Sequence, residues 1–427
     1  MKKVLIIAYY WPPAGGPGVQ RWLKFVKYLP DFDIEPIVYV PENAAYPIID
    51  NDLVNEVRKD VTILKQPIKE PYKLAAFFSN KSTQTISSGI ITEKKKQSFI
   101  EKLLLYVRGN FFIPDARIGW VNPSVSYLSD YIKKNPVDIV ITTGPPHSMH
   151  LIGMELQKRF SVQWIADFRD PWTSIGYHKE LKLTEKSAQK HKDLERDVLT
   201  KANAVIITSN TTKKEFEAIT SKPIHVITNG YDIETIEKPA LDEKFTISHI
   251  GSLLSKRNPR ILWKAFKEIL KENKQFKKDF QLRLIGKVSP EIIETIKEFR
   301  LDDYLDLKGY VPHTEALKYQ RSSQILLLIE IDSFETRGII PGKLFEYMAA
   351  ERPVLAIGPK ESDVEQIIKN TNCGNYFHYD DLEAVKEYIL SCYHQYQDKN
   401  LRIYGIGLQY YSRKKLTEKL SGILKNM

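Results

Sequence analysis

Cysteine is scarce in this chain, and long apolar runs are absent. Cys373 and Cys392 are the only cysteines among 427 residues, too few for a disulfide framework, which favours a reducing compartment. No stretch reaches the roughly 18 apolar residues of a membrane-spanning helix. The short apolar run after Lys3 lacks the cleavage site of a signal peptide. We therefore expect a cytoplasmic protein, with peripheral contact at the inner face of the membrane left open.

Motifs for several kinds of chemistry are also missing. There is no zinc-ligand spacing and no basic helix interleaved with aromatic residues, which argues against a nucleic-acid partner. No Ser-His-Asp or Cys-His arrangement of a covalent nucleophile is evident. Asp31-x-Asp33 and Asp50-x-Asp52 resemble the Asp-x-Asp of metal-dependent transferases, but both lie in polar turns and we interpret them as solvated. We expect neither a metal nor another cofactor.

Positive charge and an α/β pattern are present instead. The net charge of +10 favours an anionic partner, such as phosphate groups or acidic lipid. Short Val/Ile-rich runs alternate with amphipathic helical patterns, as in parallel sheets buried on both faces. The predicted strands are 3–9, 34–40, 61–65, 137–143, 162–168, 204–209, 245–251, 280–285, 304–308, 325–329, 354–357 and 374–378.

The pattern starts again after a polar linker at 232–244, which predicts two doubly wound α/β domains in series. We place the first domain at 1–231 and the second at 232–404. A tail at 405–427 contains an amphipathic helix that could pack back on the first domain. The predicted helices are 19–29, 123–134, 147–160, 184–200, 212–219, 259–273, 290–300, 314–321, 342–350, 363–371, 382–396 and 412–425.

A polar segment at 79–97 interrupts this alternation. It is rich in Ser and Thr, contains three consecutive lysines and predicts a long mobile loop. The apolar segment 100–107 follows. A basic loop beside an exposed apolar helix could dock on an anionic membrane; a surface insertion over an ordinary core helix is the alternative.

A loop rich in proline and glycine, 12–18, separates the first strand from the first helix. Such a loop can bring backbone N–H groups close to an anion at the helix start, or it can be a simple turn. Gly16-x-Gly18 matches half of a dinucleotide fingerprint, but Arg21 stands where the third glycine should be, which argues against a nicotinamide site.

Two loops in the first half follow predicted strands and carry polar side chains. In an open parallel sheet, ligands bind outside the carboxyl ends of the strands. We therefore expect these side chains to share one crevice with the glycine loop. The structural alternatives are a helix start for the histidine, turn and cap bonds for the aspartates, and a core position for the tryptophan. The candidates are His147, Asp167, Arg169, Asp170 and Trp172.

The second half repeats this arrangement. Gly251 and Ser252 follow its first strand, and Lys256 and Arg257 come shortly before the next helix, so a diphosphate could bind there. Further on, Pro341-Gly342 precedes Lys343 in the first turn of a helix, where a cation opposes the helix dipole and an anion nearby would compensate. Glu346 follows one turn later and could bind sugar hydroxyls. A solvated basic turn and a Lys–Glu pair are the alternatives.

Together these motifs resemble the family 4 glycosyltransferases over nearly the whole chain. The resemblance rests on the glycine loop, Gly251 with Lys256-Arg257, Asn229-Gly230-Tyr231-Asp232, and above all the segment Pro-Gly-Lys-Leu-Phe-Glu-Tyr that ends at Tyr347. It implies the GT-B architecture, with two Rossmann-like domains facing across a cleft: an N-terminal acceptor-binding domain and a C-terminal nucleotide-sugar-binding domain. It also implies sugar transfer with retention, commonly in the synthesis of polysaccharide, lipopolysaccharide or glycolipid.

By position, the resemblance assigns roles to individual residues. Gly15 and Gly16 would approach the donor phosphates or the acceptor, and Gly251 and Ser252 would belong to the donor site. Glu346 would hold the ribose of the nucleotide. Lys256 or Arg257, helped by Lys343, would stabilise the leaving diphosphate.

The chain also departs from the family pattern. The first Glu of the family's Glu-x7-Glu is Gly338 here, with Glu335 three residues earlier, and Ser252 replaces the usual Arg. Arg169 lies closest to the place of a histidine that many members carry. The missing glutamate leaves a non-catalytic nucleotide-sugar binder as one alternative to the transferase. A nucleotide-sugar epimerase, which can use the same two-domain frame, is another.

Overall fold

The structure is a computed structural model that describes residues 1–70, 99–232 and 239–427. The predicted basic loop at 79–97 lies outside the described residues. The chain forms two compact units, Met1–Thr228 with Arg413–Met427, and Asn229–Ser412. No helix among the described residues is long and apolar enough to cross a membrane.

The first unit is built on a seven-stranded parallel sheet. Its order is β3-β2-β1-β4-β5-β6-β7, which places β1 next to β4 and opens a switch point between them. The central strands are buried on both faces, as their apolar runs predict. The strands are β1 Lys2–Ile7, β2 Ile34–Pro41, β3 Thr62–Gln66, β4 Ile139–Gly144, β5 Gln163–Phe168, β6 Ala204–Ile207 and β7 Ile224–Val226.

Among the described residues, six helices belong to this unit in addition to the C-terminal helix. The first begins at Pro17, directly after Gly16 at a φ of 100°, so the glycine provides the sharp entry and the proline the first helical residue. The helices are α1 Pro17–Tyr28, α2 Phe99–Phe111, α3 Val121–Lys134, α4 Ser148–Phe160, α5 Glu185–Lys201 and α6 Asn210–Glu217.

The second unit repeats the design with a six-stranded parallel sheet of order β10-β9-β8-β11-β12-β13. The strands are β8 Phe245–Ile250, β9 Phe280–Ile285, β10 Leu305–Gly309, β11 Ile325–Ile329, β12 Val354–Gly358 and β13 Gly374–His378. The helices are α7 Arg260–Glu272, α8 Lys274–Asp279, α9 Pro290–Glu298, α10 His313–Ser322, α11 Lys343–Ala350, α12 Asp363–Thr371 and α13 Leu382–Gln397.

The last helix, α14 Arg413–Lys425, belongs to the first unit. Leu416, Leu420 and Leu424 are buried in the same apolar cluster as α1. Lys2 Nζ donates to the carbonyl of Leu424 at 3.1 Å. The two doubly wound α/β units expected from the sequence are thus observed. The strand β7 and the helix α8 were not predicted, because each is too short to carry a clear pattern.

Candidate functional site

The carboxyl end of β8 is a tight turn at Gly251, which has a φ of +119°. Its N–H donates to the carbonyl of Ile285 at 2.8 Å. A side chain here would be strained, and its Cβ would lie 2.7 Å from Nζ of Lys343. The glycine therefore leaves room for the lysine ammonium directly against the backbone.

Lys343 lies in the first turn of α11 and is held by His249 on β8. Its Nζ is 3.2 Å from Nε2 of His249, while Nδ1 of that ring is 3.0 Å from the carbonyl oxygen of Leu327. A carbonyl only accepts, so Nδ1 carries the ring hydrogen and Nε2 accepts from the ammonium. Burial and then the charge of Lys343 hold the pKa of His249 well below its ordinary value, so the ring is neutral.

The lysine itself is half-buried. Burial, followed by the charge of Arg257, lowers the pKa of Lys343 to about 7, while Glu346 acts in the opposite direction. Arg257 ends a short turn, Ser255–Arg257, and burial lowers its pKa as well. Its Nε atom is buried and has no hydrogen-bond partner. Two partly desolvated cations therefore lie near enough for one to affect the pKa of the other, and Lys343 lies against the Gly251 turn.

The other residues predicted around this turn differ in exposure. Lys256 and Ser252 are exposed. Glu346, on α11, accepts a hydrogen bond from Gln320 Nε2 at 2.8 Å and lies 3.5 Å from Nε2 of His313. The glutamate is held in place but partly exposed, as a group that binds hydroxyls requires.

The position of the family's first glutamate is occupied by glycine in this chain. Gly338 carries no side chain there, and Glu335 is exposed on the short turn Phe334–Thr336. The carboxylate of Glu335 accepts one hydrogen bond from the hydroxyl of Ser333, and the backbone N–H of Glu335 donates to that hydroxyl. Its carboxylate is thus occupied locally.

In the first unit, Asp167 lies at the carboxyl end of β5, as predicted, and is enclosed by neighbouring side chains. The carboxylate of Asp167 is fully buried. It accepts hydrogen bonds from Arg21 at 2.9 Å and Trp22 at 2.8 Å, and from the hydroxyl of Thr143 at 2.8 Å. These contacts join α1 to β4 and β5, which gives Asp167 a structural role, and its catalytic role stays a prediction.

His147 precedes α4 and stacks on Trp172, with ring centroids 4.8 Å apart and planes within 3°. It is 5% exposed, and neither ring nitrogen has a hydrogen-bond partner. Burial, followed by the nearby His150, holds the pKa of His147 well below its ordinary value. Trp172 is fixed by donating to Nδ1 of His191 at 3.1 Å.

A pocket of about 310 Å³ within this unit contains most of the predicted first-half candidates. Arg169 lies 3.6 Å from Asp170 and donates to the carbonyl of Pro145 at 3.1 Å. Its guanidinium packs so closely on Gly18 that a Cβ there would lie 1.8 Å from Nη1. The candidates that line this pocket are Gly15, Gly16, His147, Arg169, Asp170 and Trp172.

Two functional candidates were missed from the sequence. His249 is a polar residue within a buried strand, and Glu330 directly follows the apolar strand β11 and is 4% exposed. A single polar residue in an apolar run is the signal that could have found both. Separately, His378, Asp380 and Asp381 are the group that could hold a metal ion among the described residues, and Asp380 is exposed.

Comparisons with known proteins assign the family. Residues 244–395 match the model described as "Glycosyl transferases group 1", and residues 87–235 match "Glycosyltransferase Family 4". A search of curated protein sequences finds no match.

Solved structures share the fold along the whole chain. Sucrose-phosphate synthase from Thermosynechococcus elongatus has a TM-score of 0.61 at 13% identity, covering 100% of this chain and 99% of its own. HepE from Anabaena, in complex with UDP-glucose, has a TM-score of 0.59 at 12% identity, with 100% of both chains covered. A putative UDP-N-acetylglucosamine 2-epimerase from Listeria monocytogenes has a TM-score of 0.55 at 11% identity, covering 100% of this chain and 96% of its own.

The fold alone is shared by transferases and an epimerase, whereas both family models are those of transferases. The chain is therefore a glycosyltransferase of the GT-B fold and belongs to the family 4 glycosyltransferases.

Proposed function

We propose that the protein is a retaining glycosyltransferase that moves a sugar from a nucleotide-diphosphate sugar to a glycan or lipid-linked acceptor in cell-surface polysaccharide synthesis. The observation that carries the proposal is the pair of desolvated cations, Lys343 and Arg257, beside the Gly251 turn. A diphosphate is the group that such a pair fits.

The energetics of Lys343 support an anionic ligand. Its neighbour His249 is neutral, so the imidazole positions the ammonium without cancelling its charge. The lysine also lies in the first turn of α11, where the helix dipole disfavours a cation. A bound diphosphate would compensate the desolvation of the ammonium and its unfavourable interaction with the helix dipole.

The same cations would assist the reaction. As the bond between sugar and diphosphate breaks, negative charge develops on the leaving phosphate, and preorganised cations in a poorly hydrated site stabilise that charge. Lys256 would add charge at the exposed side, with Gly251 and Ser252 beside the phosphates. Glu346, held by Gln320, would accept hydrogen bonds from the ribose hydroxyls.

Retention rests on the family resemblance and needs no covalent nucleophile. The leaving diphosphate can take the proton of the attacking hydroxyl on the face from which it departs. We expect no metal or other cofactor, because Lys343 and Arg257 provide the positive charge that a metal supplies elsewhere.

The pocket of the first unit is our candidate acceptor site. His147 has two unpartnered ring nitrogens there, and the ring is neutral, so it can donate to or accept from an acceptor hydroxyl. Arg169 and Asp170 supply further polar contacts, and Gly15 and Gly16 leave the backbone accessible.

A lipid-linked acceptor would place the protein at the inner face of the membrane. Exposed apolar side chains on α2 support this, since Leu103 is 51% and Phe111 72% exposed. Binding to vesicles with anionic lipid, weakened in the Leu103→Glu, Phe111→Glu double variant, tests the peripheral location; equal binding by both proteins counts against it.

The stereochemical and reaction class can be tested together by NMR. The protein is incubated with UDP-glucose, UDP-N-acetylglucosamine, UDP-galactose or GDP-mannose, with and without an alkyl glycoside acceptor. Transfer that needs the acceptor and keeps the α configuration supports the proposal. A new nucleotide sugar formed without acceptor indicates the epimerase, and binding without any turnover indicates the non-catalytic binder.

A further inference from the structure

Glu330 is a buried carboxyl group that follows β11 and has no role in the family motif. It is 4% exposed, and its oxygens lie 3.0 and 3.1 Å from the hydroxyl of Ser362 and 2.7 Å from that of Tyr376. A buried carboxylate is costly unless a cation pairs with it directly. The contacts of its oxygens given above are all with hydroxyl groups.

Counting hydrogens at Tyr376 shows how the group is satisfied. The Tyr376 hydroxyl is within hydrogen-bond distance of two oxygens, Oε2 of Glu330 at 2.7 Å and the carbonyl of Pro359 at 2.9 Å. A hydroxyl has one hydrogen and a carbonyl can only accept. If Glu330 is the neutral acid, its O–H donates to Tyr376 and Tyr376 donates to Pro359. If Glu330 is ionised, one of these oxygen pairs lacks a hydrogen.

Burial of the carboxyl group leads in the same direction. Burial raises the pKa of Glu330 to about 8, and the carboxylate of Asp363 raises it too, while Arg257, Ser362 and Tyr376 oppose this. Tyr379 donates to the backbone carbonyl of Glu330 at 2.8 Å.

Arg257 connects this acid to the proposed donor site. It is near enough to Glu330 and Tyr379 for their charges to affect its pKa. An ionised Glu330 would attract the guanidinium of Arg257 and compensate its positive charge. A neutral Glu330 leaves the positive charge available to another anion.

We propose that Glu330 is a positioning residue that is held as a neutral acid by Tyr376 and Ser362, and that this state keeps Arg257 available to the donor diphosphate. The inference rests on the proposed function of the donor site. When Glu330 ionises at alkaline pH, it competes with the diphosphate for Arg257 and nucleotide binding weakens.

The test compares the wild type with Glu330→Gln, which keeps a donor and an acceptor but cannot ionise. Dissociation constants for UDP and GDP are measured by calorimetry from pH 6.5 to 9. The ratio of the two proteins' constants cancels the titration of Lys343 and of the nucleotide. We expect the dissociation constant of the wild type divided by that of Glu330→Gln to be near one at pH 6.5 and to rise about tenfold at pH 9. A tenfold change corresponds to the loss of one charge-assisted hydrogen bond.

A control and a spectroscopic readout accompany this measurement. Asp332→Asn removes an exposed carboxylate from the same loop, so its dissociation constants should match those of the wild type at every pH. Infrared difference spectra of wild type minus Glu330→Gln should show the carbonyl band of a protonated acid at pH 7. A carboxylate band there overturns the inference, whether or not a nucleotide binds.

The outcomes separate this inference from the proposed function. Nucleotide binding with a ratio that stays flat up to pH 9 overturns the role of Glu330 alone. If no nucleotide binds to the wild type at any pH, the proposed function fails and the role of Glu330 fails with it.

Discussion

Nζ of Lys343 lies 3.2 Å from Nε2 of His249, and the second nitrogen of that ring is fixed by the carbonyl of Leu327. A neutral ring thus orients a half-buried ammonium whose pKa is lowered to about 7. At pH 8 most of Lys343 is therefore neutral while the site is empty. A bound diphosphate favours the charged form and raises this pKa.

We predict that nucleotide diphosphate binding takes up close to one proton at pH 8 and less at pH 6. Binding should also weaken as the pH rises above about 7, because protonation of Lys343 then becomes a cost of binding. Calorimetry in buffers of different ionisation enthalpy measures the uptake directly. Lys343→Met should abolish the uptake; the same uptake in that variant would show that another group takes the proton.

Gly251 gives a second prediction. A Cβ at this position would lie 2.7 Å from Nζ of Lys343, so Gly251→Ala should displace the ammonium and weaken nucleotide binding at least tenfold. Gly309→Ala is the matched control, since Gly309 also has a positive φ, +69°, but nothing lies within 4 Å of a Cβ there. Each substitution should cost about 1–2 kcal/mol of stability through its positive φ. Equal loss of binding in both variants would show that strain, rather than Lys343, is responsible.

Substitutions of Asp167 and Asp170 should have different effects on stability and on activity. Asp167→Asn leaves the buried Arg21 without a counter-charge, and breaking such a pair costs about 3–5 kcal/mol of unfolding free energy. Asp170→Asn removes a partly exposed carboxylate that lines the pocket and should leave stability nearly unchanged while reducing transfer. Chemical denaturation and transfer assays distinguish the two. A normally stable Asp167→Asn protein that has lost activity would contradict the structural role and support the catalytic role of Asp167.

His147 gives a prediction for the acceptor side. His147→Phe keeps a ring on Trp172 but removes both ring nitrogens, so kcat/KM for the acceptor should fall about tenfold, as for one lost hydrogen bond. Nucleotide affinity should not change. His150→Phe is the control, because His150 hydrogen-bonds to Thr142 and is absent from the residues that line the pocket. An equal kinetic loss in both variants would indicate a packing effect.

The sheet architecture could be predicted because strands buried on both faces appear as continuous apolar runs, such as 325–329 and 354–357. The family motif also predicted Lys343, Arg257 and Glu346 as site residues, and the structure places them near enough for the charges of Arg257 and Glu346 to affect the pKa of Lys343. It did not identify His249, whose role depends on Leu327 and Lys343, 78 and 94 residues away along the chain.

The surroundings of Asp167 could not be predicted from the sequence. A carboxylate after a strand is a sound sequence signal for a ligand site, but the sequence does not show which side chains cover it. Arg21 and Trp22 come from α1, about 146 residues earlier, and take up its oxygens. Glu330 was missed for a related reason, because its partners Ser362 and Tyr376 come from later segments.

The central claim is that Lys343 and Arg257 form a site for the donor diphosphate. The most direct measurement is the thermal stability of the wild type and of Lys343→Met with UDP, GDP, ADP and CMP and their sugars. We predict that one nucleoside diphosphate and its sugar raise the melting temperature of the wild type and leave that of the variant unchanged. An equal rise in both proteins, or no rise with any nucleotide, would contradict the account.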